Sequence, residues 1–326
     1  MHGDPVKVSV MVMTYNHGDW LRTCLESIVS QQTDFPFEIL VGDDCSTDGV
    51  TGDIVRRFAA SHPQMVRPFI REKNIGIKNN YYDLLSQCRG TYIAHMDGDD
   101  WMLPGKLQRQ ADFLDANATV AMVGHHVFGY YQKRFWKMPA TAKGVIDLNQ
   151  MLVIGCPFGH SSKMHRRAAI RDFWRERDIV DFYLHVEHAR SGLVAVIDEY
   201  LTVYRLGVGI SFSANMLPMI TRAYMDAFDL ARELSCDPVA IRRGECAAKR
   251  HLAVGHLNSG LVEGFRSLIV LSKGDWSFAS RRHRIMHLLR YLPSLVRVMG
   301  QIRRFLILRH AGKVKMVVGS VEMGKE

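Results

Sequence analysis

The 326-residue chain has no run of about 18 apolar residues, the length a membrane-spanning helix needs, so no bilayer-crossing segment is expected. It opens MHGDPVKVSVMVMTYN, with no basic stretch ahead of an apolar one. That start reads as a first strand rather than a signal peptide. Six scattered cysteines (Cys24, Cys45, Cys88, Cys156, Cys236 and Cys246) form no CxxC pair and no framework spacing. Reduced thiols in a cytoplasmic protein fit that pattern. Neither GxGxxG nor GxxxxGKS/T occurs, so the usual signatures of dinucleotide and P-loop chemistry are missing. Acids are missing from residues 276–321, a stretch holding ten Lys/Arg (Arg281, Arg282, Arg284, Arg290, Arg297, Arg303, Arg304, Arg309, Lys313 and Lys315). The net charge of +9 therefore sits in the tail, while residues 1–275 are neutral overall. Such asymmetry calls for an anionic partner of the tail.

What is present is ordinary for a soluble protein: 47 % hydrophobic and 23 % charged residues. The length suits one large α/β domain, or one domain with a smaller appendage. Val/Ile-rich runs at 6–14, 37–44, 65–72 and 91–97 read as strands buried on both faces. Helical patterns at 19–31, 49–61, 78–88 and 104–116 alternate with them, the second opening after Ser46, Thr47 or Asp48 as N-cap. This alternation predicts a doubly wound parallel sheet. Further on, VAMVGHHVFGYY and AVIDEYLTVYRL read as strands, and VDFYLHVEHARSG as a helix ending at Gly192. From about 215 the pattern is helical to the end. Each early strand ends in polar residues, TYN, DD, RE and DGDD. Ligands bind at the carboxyl ends of strands in open α/β sheets, so these four ends would converge on one crevice.

Several stretches there carry chemistry. Asp97, Asp99 and Asp100 sit close enough to repel one another, and a Mg²⁺ or Mn²⁺ ion shared with substrate phosphates would relieve that; a solvated acidic turn is the bland alternative. Asp43 and Asp44 in GDDCSTDG suit a nucleotide base or sugar hydroxyl, or a helix-capping turn. Arg71, Lys73 and Lys78 in REKNIGIKNN are placed to offset diphosphate charge, or belong to a solvated loop. Asp181, Glu187 or His188 is the candidate general base, though Asp181 equally reads as an N-cap; it shares a helix face with His185. The glycine-punctuated YRLGVGIS reads as a loop that folds over substrate, or as a plain turn.

The ordered set VSVMVMTYNHGDWLRTCLESIVSQ, FEILVGDDCSTDG, NIGIKNN, CRGTYIAHMDGDDWMLPGKLQRQADFL and VDFYLHVEHARSGLVAVIDEYLTVYR resembles bacterial family 2 glycosyltransferases. The likeness is strong over about 6–125, weaker to about 212 and absent beyond. It implies a GT-A fold: an α/β, doubly wound, mostly parallel, Rossmann-like sheet with an appended C-terminal helical region. The implied division is a catalytic domain at 1–214 (1–116 nucleotide-sugar-binding, 117–214 acceptor-binding) and a basic helical region at 215–326. By the same resemblance Thr14, Tyr15 and Asn16 line the nucleotide pocket and Asp43 meets the base with Asp44 beside it. Asp97, Gly98 and Asp99 match the DxD that binds ribose and metal, Asp100 faces the donor sugar or orients the site, and Asp181 is the catalytic base. Arg71 and Lys78 join the donor site, while Trp101, His160, Ser161 and Glu187, with His125 and His126 nearby, shape the acceptor side. Two departures stand out: Leu206 and Gly207 follow YR where relatives often carry a histidine shortly after, and Val180 precedes Asp181 where Glu or Gly is usual.

The implied function is a metal-dependent (Mn²⁺ or Mg²⁺), inverting hexosyltransferase. It would move a sugar from a nucleoside-diphosphate donor, commonly UDP-linked among relatives, to a glycan or lipid-linked acceptor in surface polysaccharide synthesis. Independently, a carboxylate-held metal and nearby Arg/Lys suit a leaving diphosphate, and a carboxylate on the opposite face suits proton removal from a hydroxyl. Alternatives are a nucleotidyltransferase, which would want a Gly/Lys-rich phosphate loop, and a non-catalytic membrane-bound scaffold of the same fold. Residues 281–315 combine apolar helical spacing with Arg290, Arg297 and Arg304 seven apart, and Pro293 should divide the helix. This segment reads as a foot on an anionic membrane surface, making the protein peripheral on the inner face of the cell membrane, or as helices packed on the catalytic domain. No aromatic-interleaved platform supports a nucleic-acid partner.

Overall fold

The structure is a computed structural model that describes residues 5–169, 180–207, 214–258 and 262–271, with isolated residues at 294, 298, 315–317 and 320–322. The expected 281–315 membrane foot lies almost wholly outside the described residues.

The N-terminal half alternates as expected: β1 (Val8–Thr14), α1 (Asp19–Val29), β2 (Phe37–Asp43), α2 (Thr51–Ser61), β3 (Val66–Ile70), α3 (Gly76–Ser86) and β4 (Tyr92–Asp97). The short β5 (Trp101–Met102) and α4 (Lys106–Ala116) follow. α1 forms because Leu21, Cys24, Leu25 and Ile28, at helical spacing, are all fully buried. Its neighbour α2 is started by Asp48, whose carboxylate accepts from the N–H groups of Val50 and Thr51. The second half holds β6 (Val120–Tyr131), β7 (Arg134–Lys137), β8 (Gly144–Ile146), α5 (Leu148–Ile154), β9 (Met164–Arg166), α6 (Asp181–Ala189) and β10 (Leu193–Arg205).

These strands make one sheet in the order β3-β2-β1-β4-β9-β6-β10-β5, with β7 on β6 and β8 on β10. β1 to β4 run parallel, as do β6 and β10, while the three-residue β9 is wedged antiparallel between β4 and β6. Alternate side chains feed two cores. Val8, Val10, Val12, Ile39 and Val41 meet α1, α2 and α4, while Met11, Leu40 and Ile93 meet α3, α5 and α6 on the other face. Helices thus cover both faces, which the apolar strands require.

The helix expected to end at Gly192 stops at Ala189. Gly192 serves the following turn, where a Cβ would lie 2.5 Å from Thr119 O. Beyond 215 come α7 (Leu217–Glu233), α8 (Pro238–Asn258) and α9 (Val262–Leu271). Ala227, Phe228, Leu230, Ala231 and Ile241 of α7 and α8 join the core that holds Met151, Leu152 and Phe182, so these two helices pack on the sheet's own layer. Residues 315–317 and 320–322 form a short antiparallel pair, β11 and β12, instead of continuing the helical pattern. No helix among the described residues is long and apolar enough to cross a membrane.

Candidate active site

Sheet register builds the site. Thr14 at the end of β1 pairs with Asp43 at the end of β2, and Met13 with Asp97 at the end of β4. Just past the ends, Asp44 N donates to Thr14 O at 3.1 Å, Arg71 N to Asp43 O at 2.9 Å and Gly98 N to Met13 O at 2.8 Å. Four strand ends therefore open on one crevice, as Thr14, Asp43, Arg71 and Asp97 were expected to.

On the β1–β2 side two loops are tied together. Asn16 takes a left-handed backbone, φ 55°, and its Oδ1 accepts from Thr47 N at 2.7 Å while its N–H donates to Ser46 Oγ at 2.8 Å. Gly18 N donates to Asp48 Oδ2 and Thr51 Oγ1. Against the effect of burial, hydrogen bonds from Thr51, Val50 and Gly18 hold the Asp48 carboxyl below the usual range. Within GDDCSTDG, Asp48 starts a helix, the capping role open to this turn, while Asp43 ends β2 at the crevice. Asp43 Oδ1 accepts from Ser46 N and Oγ, leaving Oδ2 towards Gly52, where a Cβ would sit at 3.5 Å. Asp44 is spent internally, accepting from Ile75 N at 2.8 Å, so it shapes the 74–75 loop. Tyr15 is exposed.

On the β3 side a pocket is lined by Ile70, Arg71, Glu72, Lys73, Ile75 and Asp83. Arg71 Nε donates to Asn80 Oδ1 at 3.1 Å and Nη1 lies 3.6 Å from Asp83, while Nη2 is buried without a partner. Lys78 sits half-buried on the first turns of α3.

The three aspartates divide by environment. Asp100 is fully buried: Oδ1 accepts from Arg205 N at 2.8 Å and Oδ2 from Ser161 Oγ at 2.5 Å. Of the two roles expected for it, facing the donor sugar or orienting the site, this bonding supports the second. Ser161 Oγ also accepts from Asp97 N at 3.0 Å and lies 3.4 Å from Asp97 Oδ2. Burial, then the charges of Asp99 and Asp181, push the Asp97 carboxyl well above its usual range. Asp99 lies 3.8 Å from Arg205 Nη2, and the Arg205 guanidinium sits 4.2 Å from the Trp20 ring centre. Gly98 is required: a Cβ there would lie 2.7 Å from His17 Nδ1 and 2.9 Å from Thr14 Oγ1.

Among the described residues no three His, Cys, Asp or Glu side chains converge on a metal position. The pair Asp97 and Asp99 nevertheless fits a hard divalent cation. Burial first, and then the charge of Asp99, raise the Asp97 carboxyl, and a cation between the two would relieve both. Mg²⁺ and Mn²⁺ need only one or two protein carboxylates when waters and phosphates complete the shell.

Across Ser161 lies the expected base. His160 and Ser161 belong to a single 3-10 turn, His160–Ser162. While Ser161 holds Asp97 and Asp100, His160 Nδ1 lies 3.5 Å from Asp181 Oδ1. Asp181 opens α6 without capping it and keeps its side chain 48 % exposed. Its surroundings raise its pKa by desolvation, opposed by Lys163. The turn is anchored from below by Lys106, fully buried, whose Nζ donates to Ser161 O at 2.6 Å.

Other expectations change. Glu187 is buried against His188, 3.5 Å away, with its carboxyl pushed up to about 7 by burial, so it does not line the crevice. His188 and His185 are buried too. Trp101 packs its ring on Tyr130 and Phe135. His125 is buried, and His126 meets Asp198 at 3.0 Å. Sequence reasoning missed His17, Trp20, Lys106 and Arg205 as site residues. The YR pair quoted for the family was the available signal for Arg205; nothing local marks the others.

A model of the family described as Glycosyl transferase family 2 matches residues 9–174. An uncharacterized protein of Mycobacterium tuberculosis is 33 % identical over 202 residues, covering 61 % of this chain and 58 % of that one. The Bacillus subtilis protein EpsE, provisionally named a glycosyltransferase, is 31 % identical over 165 residues, 51 % of this chain and 58 % of its own. The match thus spans less than two thirds of these relatives' length. Among solved structures, S. aureus TarS 1-349 in complex with UDP-GlcNAc aligns over 98 % of this chain and 97 % of that one, at TM-score 0.55 and 15 % identity. Mannosyltransferase PcManGT from Pyrobaculum calidifontis, in complex with GDP-Man and Mn²⁺, aligns over 94 % and 88 %, at TM-score 0.56 and 16 % identity. At such identities the likeness is one of fold.

Proposed function

The chain belongs to glycosyl transferase family 2, and we propose that it transfers a hexose from a nucleoside-diphosphate sugar to a hydroxyl of a glycan or lipid-linked acceptor, with inversion. The observation that carries this reading is the 160–162 turn. It fastens Asp97 and Asp100 on one side and sets His160 Nδ1 3.5 Å from the half-exposed Asp181 on the other. In the reaction the acceptor oxygen attacks the anomeric carbon and Asp181 takes its proton. The bond from that carbon to the diphosphate breaks, and the diphosphate leaves with the electron pair. Asp97 and Asp99 would hold Mn²⁺ or Mg²⁺, which supplies positive charge against the leaving diphosphate when bound. Arg205, beside Asp99, and the free Nη2 of Arg71 add fixed positive charge at the same end. Thr14, Tyr15, Asn16 and Asp43 line the nucleotide side with Lys78 at its edge. Asp44 and Asp100 hold the walls from behind, and Trp101, His160 and Ser161 stand on the acceptor side. The UDP form of the donor is supported by the UDP-GlcNAc complex of a protein of the same fold, although GDP-Man occurs in another.

The test uses UDP-glucose, UDP-galactose and UDP-N-acetylglucosamine with Mn²⁺, water standing in for the acceptor. Asp181→Asn should bind the active donor as the parent does and release UDP at least 100-fold more slowly. Unchanged release would remove Asp181 as the base. A role in surface polysaccharide synthesis follows from the acceptor class. The basic 281–315 segment is proposed to hold the enzyme at anionic lipid, at about 1 kcal/mol per basic residue near the surface. Replacing Arg290, Arg297 and Arg304 by Glu in the full chain should abolish flotation with phosphatidylserine vesicles; equal flotation would reject the membrane foot.

A further inference from the structure

At the wall beside Asp99 one cation is held in place more firmly than general charge compensation needs. Arg205 ends β10, and its N–H donates to Asp100 Oδ1 at 2.8 Å, which ties its backbone to the DGDD turn. Its side chain reaches the neighbouring carboxylate: Nη2 lies 3.8 Å from Asp99 Oδ2. The guanidinium also lies over the Trp20 ring, 4.2 Å from its centre. Trp20 stands in the first turn of α1, and Tyr130 meets it edge-on with 5.8 Å between ring centres. Tyr130 is in turn the residue paired with Arg205 between β6 and β10. A helix and two strands therefore fix where this charge sits.

Both members of the pair are largely out of water, with side-chain exposures of 12 % for Arg205 and 10 % for Asp99. Charges so placed are costly unless opposed. Arg205 and Asp99 oppose each other, but at 3.8 Å they form an ion pair without a hydrogen bond. Arg205 Nε is buried and has no partner at all. A guanidinium carries five N–H donors in a planar fork, so Arg205 keeps donor capacity for a further anion. The contact is close enough to neutralise Asp99 and loose enough to be exchanged for a better one.

We propose that Arg205 is the resting counter-charge of Asp99 and makes divalent-cation binding depend on the donor. With the crevice free, Arg205 offsets the Asp99 charge and repels a second cation from it. A nucleoside diphosphate offers the guanidinium charge-assisted hydrogen bonds, which Asp99 does not, and frees Asp99 for Mn²⁺ or Mg²⁺. Trp20 keeps the guanidinium on the wall throughout, so Arg205 changes partner without leaving its seat. Coupling of this kind is reciprocal: what the donor adds to metal affinity, the metal adds to donor affinity. The proposal rests on Asp99 being a metal ligand.

The test measures Mn²⁺ binding to the full chain by electron paramagnetic resonance, with and without UDP, and needs no turnover. Arg205→Met removes the charge and leaves the backbone N–H on Asp100. Without UDP it should bind Mn²⁺ at least about tenfold more tightly than the parent, and adding Asp99→Asn should abolish that gain. UDP should tighten Mn²⁺ binding at least about tenfold in the parent and under about threefold in Arg205→Met. Arg205→Lys, which keeps the charge, should bind Mn²⁺ alone as weakly as the parent. A gain in affinity on losing a native side chain is not what damage to the fold produces. Should Arg205→Met fail to fold, Arg205→Gln takes its place and must show the same gain. No such gain in the uncharged variant, with parent binding tightened by UDP and lost in Asp99→Asn, would overturn the Arg205 role and leave the metal site standing. No Mn²⁺ bound by the parent even with UDP, or binding untouched by Asp99→Asn, would overturn both.

Discussion

Ser161 gives the sharpest structural prediction, because one hydroxyl serves two aspartates. It accepts from Asp97 N at 3.0 Å and donates to Asp100 Oδ2 at 2.5 Å. Ser161→Ala leaves a buried N–H and a buried carboxylate oxygen unpaired. Each such group costs about 1–3 kcal/mol, so the loss should be about 2–6 kcal/mol in total. Against a stability of about 5–15 kcal/mol for a typical domain this is large. With an m-value near 3 kcal/mol/M the urea midpoint should fall by about 0.7–2 M. Ser162 is the control from the same turn. Its Oγ donates only to Gly159 O, which also accepts from Ser162 N, so Ser162→Ala should cost under about 1 kcal/mol. Unfolding is followed by tryptophan fluorescence, and donor binding by calorimetry with Mn²⁺. Because Asp97 loses its anchor, Ser161→Ala should also weaken Mn²⁺-dependent donor binding. A midpoint shift below about 0.2 M with unchanged binding would refute the linkage drawn between the turn and the two aspartates.

Gly98→Ala would thrust a Cβ to 2.7 Å from His17 and 2.9 Å from Thr14; overpacking of this kind costs about 1–3 kcal/mol. Its donor affinity should drop at least about tenfold, and calorimetry showing parent affinity would count against the crevice geometry. Glu187 predicts a pH effect. Its carboxyl is pushed up to about 7, above the ordinary glutamate value of 4.5. The buried carboxyl therefore stabilises the fold while protonated, and that stability is lost as pH rises from about 4.5 to about 7, by about 3 kcal/mol in all. Glu187→Gln should remove this dependence, so its urea midpoint relative to the parent should rise between pH 5 and pH 8. A constant difference would show that Glu187 is ionised without penalty.

The first half of the sheet was legible because its strands are continuous apolar runs and its helices carry apolar stripes. Both signals are local, and the polar strand ends read off TYN, DD, RE and DGDD do meet at one crevice. β5, β7, β8 and β9 escaped because they are two to four residues long and their pairing is fixed by distant partners. β9 is simply Met-His-Arg, with no apolar alternation to announce a strand between β4 and β6. The three aspartates of DGDD look equivalent in sequence. Only the partners of Asp100, Ser161 and Arg205, lying 61 and 105 residues away, turn it inward. Lys106 and Lys163 ran against the general rule that lysines stay exposed. Nothing local announces either: Lys106 Nζ donates to Ser161 O, and Lys163 Nζ is buried without a hydrogen-bond partner. Glu187, likewise, shares a helix with Asp181 yet faces the interior, since six residues along a helix leave the two side chains about 120° apart.

The central claim is that the crevice binds a nucleoside-diphosphate sugar through Asp97 and Asp99 together with a divalent cation. Its most direct test is calorimetric titration of the full chain with UDP-glucose, UDP-galactose, UDP-N-acetylglucosamine and GDP-mannose, each with Mn²⁺ and with EDTA, in the parent and in Asp99→Asn. At least one donor should bind the parent with Mn²⁺ and bind at least tenfold more weakly with EDTA or in Asp99→Asn. Equal binding with and without metal, or no binding of any of the four to the parent, would contradict the account.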